Sequence, residues 1–479
     1  MRNFALCYIN GRPHEITGDQ AFMTVAEYLR YEKGLTGTKV VCSEGDCGAC
    51  TILVSRFSSG EMGEYKSINS CISFMYLLDR CHIVTVEGLK QENHIHEAQQ
   101  KMLDCHGAQC GFCTPGFICA MAGMAEDLKI SGKPITEQKV KNYLTGNLCR
   151  CTGYSPIIEA GKSIDLTKVK VLGNIFNDKN IAQTFTDLKH TSLLIESKGR
   201  EAFLPGTLNE VVEYKTNNKK CSVTSGATDL GVQLNKGHSV QGKILSLNNL
   251  TEAYEILDTE KALEIGAKAS LTDIEKKCEK SFPEFSQMLH LFASPQIKNK
   301  GTLVGNIVNA SPIADTIPFL MVAGAELDIV SDSGKRSVDI NDFYQPGYKK
   351  LDLKDDELVS KVSIPKTSGQ FKLYKVSVRK DLDISTVTFA AKYEIENNKF
   401  KSIDIAFGGV GPKVLKVSGV SNSALGQTLS ADLFSKLADD VISEVTPMSD
   451  HRGSKEFRFK LCQNLLLKFG KEIMNKALV

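Results

Sequence analysis

Eight cysteines near the start of this 479-residue chain constrain its fold more than any other feature. Twelve of its 15 cysteines lie between Cys7 and Cys151. The first residues turn polar at Asn10 and do not show the apolar core of a secretory leader. In such a chain, clustered cysteines indicate metal ligation rather than a disulfide scaffold. The eight form a first set, Cys42, Cys47, Cys50 and Cys71, and a second set, Cys110, Cys113, Cys149 and Cys151.

The first set has the C-x₄-C-x₂-C spacing, with a fourth cysteine further along, that is typical of a plant-type 2Fe–2S site. Three thiolates must converge from one tight loop, and Gly45 and Gly48 give that loop the backbone freedom it needs. The loop amides can then point at the sulfurs. A structural zinc site is the alternative, but zinc usually takes two separate close cysteine pairs. We therefore predict a 2Fe–2S cluster on the first set.

The second set combines a C-x₂-C pair with a C-x-C pair, and its spacing alone is compatible with zinc or with a second cluster. The C-x-C pair is unusual for a zinc finger. Both pairs come just before predicted helices, which begin near Thr114 and Tyr154. The dipole at a helix N-terminus favours thiolate charge, so both pairs are suited to metal ligation.

Longer strings around the second set resemble one protein family. Residues 109–116 read QCGFCTPG and residues 146–154 read GNLCRCTGY. Following a plant-type cluster loop, they resemble the iron–sulfur region of the molybdenum hydroxylases. The resemblance implies a second 2Fe–2S cluster on the second set, lying nearest a molybdenum cofactor, with the first cluster nearer a flavin. It also implies that Gln109 contacts the pterin of the molybdenum cofactor.

Two loops of small residues further along are candidates for binding a diphosphate. Residues 222–231 read SVTSGATDLG after a predicted strand, and residues 302–306 read TLVGN. Exposed loop amides can bind pyrophosphate, although the absence of a G-x-G-x-x-G fingerprint argues against a Rossmann site and an ordinary turn-rich loop reads similarly. Resemblance to the FAD domain of the same family implies FAD contacts from Ser222, Val223, Thr224, Ser225, Gly226, Ala227, Thr228, Asp229, Phe292, Thr302, Leu303, Val304, Gly305, Asn306 and Asp315.

Apolar periodicity divides the chain into successive regions. Together with the resemblance, it predicts a multidomain α+β protein. The expected parts are a β-grasp, ferredoxin-like 2Fe–2S domain (1–92), a four-helix-bundle 2Fe–2S domain (93–165), a lysine-rich linker (166–196), a two-lobed α/β FAD-binding domain (197–368) and a C-terminal α+β flavoprotein domain (369–479).

Composition and charge exclude several function classes. The formal net charge of +2 gives no reason to expect nucleic acid or a membrane surface as a partner. We find no run of about 18 apolar residues that would cross a bilayer, and we expect a cytoplasmic protein. None of the nine histidines lies in a catalytic constellation, so we expect no catalytic residue in this chain.

The resemblance implies a reaction shared between two chains. In organisation the sequence is similar to the small, iron–sulfur and FAD subunit in the xanthine dehydrogenase branch of the family, whose molybdopterin-binding large subunit would be a separate partner in a heterodimer or a dimer of heterodimers. The expected role is transfer of electrons from that partner through both clusters to FAD and on to NAD, during oxidation of hypoxanthine and xanthine to urate. The alternatives are another molybdenum hydroxylase acting on aldehydes or N-heterocycles, and a redox sensor or scaffold without turnover.

Overall fold

The computed structural model describes residues 1–91, 94–189, 191–238, 242–379 and 382–477. The chain forms two compact units, the first comprising Met1–Glu252 with Ser294–Gly301 and the second comprising Ala253–Ala293 with Thr302–Val479. The predicted boundary at residues 92 and 93 lies outside the described residues. No helix in the described part of the chain has the length and apolar character that crossing a bilayer requires.

The first unit begins with a small mixed sheet. Its order is β2-β1-β6-β3-β4, with β5 paired to β3, and β1 runs parallel to β6. A capping box at Thr24, closed by Glu27, starts the main helical segment over the sheet. The elements are β1 (Ala5–Ile9), β2 (Arg12–Ile16), α1 (Gly18–Ala21), α2 (Val25–Glu27) with a π-helical turn (Tyr28–Glu32), β3 (Thr51–Ser58), β4 (Glu61–Met62), β5 (Lys66–Asn69) and β6 (Cys81–Val84).

Four helices follow, as the bundle prediction requires: α3 (Glu97–Asp104), α4 (Thr114–Ser131), α5 (Glu137–Leu144) and α6 (Ser155–Lys162). Pro115 stands in the first turn of α4, where it costs no hydrogen bond, and Gly132 ends that helix in the left-handed conformation. Nearly every residue from Gly116 to Ala125 is buried, because α4 packs between the other helices and β3. This shared packing joins the bundle to the sheet through one hydrophobic core.

The residues predicted as a linker form two helices, α7 (Leu172–Ile175) and α8 (Asp178–Thr186), which pack against the first domains. The amide of Leu172 donates to the buried carboxylate of Glu126 at 3.0 Å. The hydroxyl of Tyr65 donates to Asp178 Oδ1 at 2.7 Å, and Phe185 is fully buried. These contacts hold the segment as part of the first unit.

The first unit continues with a four-stranded sheet of order β7-β8-β10-β9, in which β8, β10 and β9 are parallel. Parallel strands need crossover helices, and α9 and α10 supply them. The elements are β7 (Leu193–Ser197), β8 (Arg200–Leu204), α9 (Leu208–Asn217), β9 (Ser222–Thr224), α10 (Thr228–Asn235) and β10 (Lys243–Ser246).

The second unit contains a five-stranded antiparallel sheet of order β11-β12-β15-β13-β14. One helix of this stretch of chain, α13, belongs to the inserted segment 294–301 of the first unit. The elements are β11 (Ile256–Asp258), β12 (Ala262–Gly266), α11 (Leu271–Ser281), α12 (Pro283–Leu291), α13 (Pro295–Lys298), α14 (Leu303–Asn309), α15 (Ile317–Ala323), β13 (Glu326–Ser331), β14 (Gly334–Asp339), α16 (Ile340–Phe343) and β15 (Leu358–Pro365).

The second unit ends with a meander of four strands followed by helices. Its sheet and helices share one core that includes the stacked and edge-on rings of Phe389, Phe400, Phe434 and Phe469. The elements are β16 (Gln370–Val376), β17 (Val387–Glu396), β18 (Lys399–Gly408), β19 (Leu415–Lys416), α17 (Ser418–Ala424), α18 (Ala431–Asp440) and α19 (Lys455–Ala477).

Candidate functional site

The four cysteines of the first set converge at one edge of the small mixed sheet. The thiols of Cys42 and Cys47, of Cys42 and Cys71, and of Cys50 and Cys71 lie within hydrogen-bonding distance of each other. The backbone amides of Glu44 and Cys47 point at Cys42 Sγ, at 3.4 and 3.5 Å. Cys50 and Cys71 are almost completely buried. The loop therefore gathers four thiols and turns its amides towards sulfur, as the sequence predicts.

Gly48 explains why the cysteine loop needs glycine. Its φ is +67°, and a Cβ placed on it would lie 2.1 Å from the carbonyl oxygen of Gly146. A side chain at residue 48 is thus excluded both by backbone conformation and by the close approach of the bundle. The glycine serves the contact between the two cysteine regions as well as the turn itself.

The thiols of the first set differ strongly in acidity. Hydrogen bonds from Cys47 and Cys71 lower the pKa of Cys42 far below its usual range, and a hydrogen bond from Cys71 lowers the pKa of Cys50 to about 7. Because Cys47 and Cys71 donate these bonds, their own pKa values are raised. Thiolates are the metal-binding form of cysteine, so this mutual stabilisation favours ligation.

The second set forms at the N-terminal ends of α4 and α6. Cys110 Sγ and Cys151 Sγ are 3.5 Å apart, and the thiols of Cys113 and Cys149 form a second hydrogen-bonding pair. Cys110 and Cys151 are exposed. Thr152 Oγ1 lies 3.2 Å from Cys149 Sγ and so adds a polar contact to that sulfur.

The thiols are linked by a chain of three contacts in the first set and form two pairs in the second. Among the described residues, no group of three or more histidine, cysteine, aspartate and glutamate side chains is placed to hold one metal ion. A 2Fe–2S cluster differs from a single ion in taking two protein thiolates at each of its two irons. Four thiols gathered in each set, with amides aimed at sulfur and a glycine in the loop of the first set, therefore fit that group.

A short connection joins the two sets. The amide of Leu148, next to Cys149, donates to the carbonyl oxygen of Cys47 at 2.9 Å. The buried side chain of Asn147 donates to Gly48 O at 3.0 Å and accepts from Gln296 Nε2 at 2.7 Å. A single backbone hydrogen bond therefore connects Leu148, the neighbour of Cys149 in the second set, to Cys47 in the first set.

Residues 222–229, the first predicted diphosphate site, comprise β9, the turn at residues 225–227 and the start of α10. A Cβ on Gly226 would lie 2.3 Å from Lys300 O, so the loop packs closely against the inserted segment. The buried hydroxyl of Thr224 has no hydrogen-bond partner in the described part of the chain. An unpaired buried polar atom at such a loop suits an oxygen-rich ligand. The side chain of Asp229 accepts from Gln233 Nε2 at 2.5 Å.

Helix α10 runs from this loop to the first cysteine set. At its end, Asn235 Nδ2 donates to Cys71 O at 2.8 Å and to Ser43 O at 2.9 Å. Gly231 packs against the carbonyl of Ile72, which a Cβ would approach to 2.4 Å. A single helix therefore joins the predicted flavin loop to the backbone of a predicted cluster ligand.

The inserted segment 294–301 covers another side of the first set. Asn299 Nδ2 donates to Ser67 O at 2.9 Å, and Lys300 Nζ donates to Ser73 Oγ at 2.7 Å. Sequence reasoning missed these residues and Asn235, since their partners are far away in the chain. The role of Asn147 could have been suspected from the sequence, because Asn147 lies within the motif that carries Cys149 and Cys151.

Residues 302–306, Phe292 and Asp315 lie in the second unit. Thr302 Oγ1 accepts from the Gly305 amide at 3.1 Å and caps α14, while Asn306 Oδ1 accepts from Thr316 Oγ1 at 2.6 Å. Phe292 is half-buried. The side-chain oxygens of Thr302 and Asn306 therefore already accept hydrogen bonds from other residues of the second unit. Contact of this loop with FAD stays a prediction.

Asp315 is the predicted flavin residue with the most extensive protein contacts. Both of its carboxylate oxygens are engaged, Oδ2 by Lys375 Nζ and Oδ1 by Ser385 Oγ, each at 2.5 Å. The carboxylate and the ammonium are almost fully buried. Its first role in this structure is to hold β16 and the start of β17.

Gln109 lies exposed beside Cys110. Three apolar side chains around the second set are also exposed: Phe112 by 48%, Leu148 by 45% and Tyr154 by 39%. Exposed thiols with an apolar rim form a surface that is typical of a binding face. The structure thus places Gln109 at an open face of the second set, and its pterin contact stays a prediction.

Comparison with protein families assigns all four regions. Residues 7–76 match a 2Fe-2S iron-sulfur cluster binding domain, and residues 85–162 match a second 2Fe-2S binding domain. Residues 197–367 match the FAD binding domain in molybdopterin dehydrogenase, and residues 372–473 match the CO dehydrogenase flavoprotein C-terminal domain. The predicted fold class, two 2Fe–2S domains and an FAD domain are thereby confirmed.

Curated relatives match nearly the whole chain. Xanthine dehydrogenase 1 of Arabidopsis thaliana is 28% identical over 97% of this chain and 39% of its own length. Xanthine dehydrogenase of Emericella nidulans is 30% identical over 85% of this chain and 34% of its own length. The chain therefore spans well under half the length of the curated relatives it matches.

Two solved structures align with more than half of this chain and show the same fold there. Quinoline 2-oxidoreductase from Pseudomonas putida 86 aligns with a TM-score of 0.54 at 23% identity, covering 58% of this chain and 97% of that one. Carbon monoxide dehydrogenase from Hydrogenophaga pseudoflava aligns with a TM-score of 0.53 at 19% identity, covering 56% and 94%.

Proposed function

Because the chain matches the iron–sulfur and FAD subunit of the molybdenum hydroxylases, we propose that it is the electron-transfer part of such an enzyme. It would accept electrons from a molybdenum cofactor on a partner chain and deliver them through two 2Fe–2S sites and FAD to NAD. The curated relatives named xanthine dehydrogenase favour hypoxanthine and xanthine as the substrates of the whole enzyme.

One observation carries this proposal, namely that the first unit connects the candidate sites in series. The second cysteine set is tied to the first by the hydrogen bond from Leu148 to Cys47. The first set is tied to the flavin loop by α10 and the bond from Asn235 to Cys71. A sensor or storage scaffold has no need for this order, whereas electron transfer requires closely connected sites.

When bound, the clusters supply one-electron steps and FAD supplies the exchange between one-electron and two-electron chemistry. The protein residues position and enclose these groups. The eight cysteines would hold iron, and the loop amides at Cys42 would stabilise negative charge on sulfur. Residues 222–229 of the first unit would contact the FAD diphosphate, and Asn147 and Gln296 keep the contact between the cysteine loops rigid.

The open face at the second set is the proposed entry for electrons. Cys110, Cys151 and Gln109 are exposed there, with Phe112, Leu148 and Tyr154 around them. A molybdopterin-binding chain that covers this face would bring its cofactor next to Gln109. Oxidation of the substrate belongs to that partner, so we expect no residue of this chain to contact the purine.

The test is to purify the chain in complex with its molybdopterin-binding partner and to measure iron, flavin and molybdenum. We expect four irons and one FAD for each copy of the chain, as two 2Fe–2S sites and one flavin require, and xanthine-dependent reduction of NAD. Absence of flavin, or failure to bind any molybdenum protein, would contradict the proposal. Electrons obtained from an aldehyde or from quinoline, but not from xanthine, would instead favour another hydroxylase of the family.

A further inference from the structure

Lys300 is a buried cation in the segment that covers the first cysteine set. Only 8% of the residue is exposed. Its Nζ donates to Ser73 Oγ at 2.7 Å, and that fully buried hydroxyl donates to the carbonyl of Asn69 at 2.8 Å. Ser73 lies two residues beyond Cys71, which limits the separation of their Cα atoms to about 7 Å. The ammonium is thus held next to a predicted cluster ligand.

Among the residues that the structure describes, no carboxylate forms an ion pair with Lys300. In the part of the chain that the structure describes, its one polar contact is the Ser73 hydroxyl. Burial lowers the pKa of Lys300 to about 7, and the nearby Arg56 cation acts in the same direction. The acidic groups that oppose this effect are the thiols of Cys71 and Cys81. A buried ammonium is costly without compensating negative charge, and thiolates of the first cysteine set would supply that charge.

We propose that Lys300 is the counter-charge of the cluster held by Cys42, Cys47, Cys50 and Cys71, and that it raises the reduction potential of this cluster. The inference rests on the proposed function, since it requires a cluster on the first set. Four thiolates give an oxidised 2Fe–2S cluster a net negative charge, and reduction by one electron increases that charge by one. A fixed cation nearby stabilises the reduced form more than the oxidised form.

A purely structural role for Lys300 is less consistent with its contacts. Asn299 and Gln296 already attach the same segment by neutral hydrogen bonds, to Ser67 and Asn147. A neutral side chain would bridge to Ser73 without the cost of burying a charge. The charge itself is therefore the property that needs an explanation, and proximity to Cys71 supplies one.

The experiment compares reduction potentials of the two clusters in the purified complex, by redox titration followed by electron paramagnetic resonance. Lys300→Met removes the charge and keeps the length of the side chain. We expect the equilibrium constant for reduction of the first-set cluster to fall roughly tenfold, which is about 59 mV for one electron. The second-set cluster should keep its potential, and Lys300→Arg should stay close to wild type.

Lys215 provides the matched control. It is also buried, and its Nζ donates to a neutral oxygen, the carbonyl of Lys219, at 2.7 Å. Lys215→Met should leave both potentials unchanged. If Lys300→Met fails to retain the cluster, Lys300→Gln keeps a donor for Ser73 without the charge and allows the same measurement.

Two failures are distinguishable. If the wild-type protein lacks the signal of the first-set cluster, the proposed function is overturned. If both signals are present and the potential of the first-set cluster is the same in wild type and in the uncharged variant, the role of Lys300 alone is overturned.

Discussion

The two cysteine sets lie in one compact unit but have very different surroundings. Cys50 and Cys71 of the first set are buried, and α10 and the inserted segment pack against the loop that carries them. Cys110 and Cys151 of the second set are exposed within an apolar rim. The first site is enclosed by its own chain, whereas the second presents a face that another protein would complete. Enclosure by the chain itself suits internal transfer, and exposure suits exchange with a partner.

Removing one cysteine from each set should have the largest effect. Cys50→Ala should abolish the paramagnetic signal of the first-set cluster, and Cys110→Ala that of the second-set cluster, each with loss of half the iron. Flavin reduction by the partner's substrate should fall to background in both variants. Cys119→Ala, at a buried cysteine of α4 outside both sets, should keep both signals. Loss of both clusters in Cys110→Ala would show that the sites are not independent.

Substituting Gly48 should reveal how tightly the two sets are joined. Gly48→Ala combines a positive φ with a clash against Gly146 O and should lower the free energy of unfolding by about 3 kcal/mol or more. Gly132 has nearly the same φ, +66°, with no atom within 4 Å of an added Cβ, so Gly132→Ala should cost only about 1 kcal/mol. Denaturant titration followed by cluster absorbance measures both. Equal losses would mean that the contact between the loops adds nothing.

One buried acid in each of the two 2Fe–2S domains should make the stability of those domains depend on pH in opposite directions. In the bundle, burial raises the pKa of Glu126 to about 7, so its stabilising contribution is lost as pH rises from the unfolded-state value through 7. In the ferredoxin-like domain, burial of Asp79 is outweighed by Arg2 and Arg80, which lower its pKa. The contribution of Asp79 is therefore present at neutral pH and lost as pH falls through the lowered pKa.

Glu126→Gln should consequently become more stable than wild type by about 2 kcal/mol between pH 5 and pH 8, because glutamine still accepts from the Leu172 amide and carries no charge. Hydrogen exchange of the bundle amides reports this difference. The exposed residue Glu159 supplies the control, and Glu159→Gln should leave the pH profile unchanged. A wild-type bundle that gains stability over this range would contradict the interpretation.

The smallest expected effect is a difference in the rate of iron loss between the two cysteine sets. This difference reports directly on how exposed each set is. With a bulky iron chelator under reducing conditions, the second set should lose iron several-fold faster than the first in the isolated chain. Addition of the molybdopterin-binding partner should slow that loss and leave the first set unaffected. Faster loss from the first set would reverse the assignment of the open and enclosed sites.

Local patterns in the sequence predict much of this molecule. The spacing of Cys42, Cys47 and Cys50 restricts one loop so strongly that three thiols must meet, and the helix predicted to begin near Thr114 is α4. Four domains in their order follow from such patterns and from the family resemblance. Each of these features depends on residues close together in the chain.

Features that depend on distant contacts were not predictable. Lys300 is 227 residues from Ser73, and Asn235 is 164 residues from Cys71, so no local pattern links them. The linker residues become helical because Glu126 and Tyr65 bind their N-terminal ends. Similarly, nothing in the string around Asp315 indicates that Lys375 and Ser385 already occupy its carboxylate.

The inserted segment has a consequence for biosynthesis. All four cysteines of the first set have been translated by residue 71, whereas the segment that covers one side of them begins only at Ser294. During translation, the nascent chain therefore keeps that side of the loop accessible to iron and sulfide donors until the later residues leave the ribosome. Insertion of a cluster from that side would therefore have to precede the docking of residues 294–301.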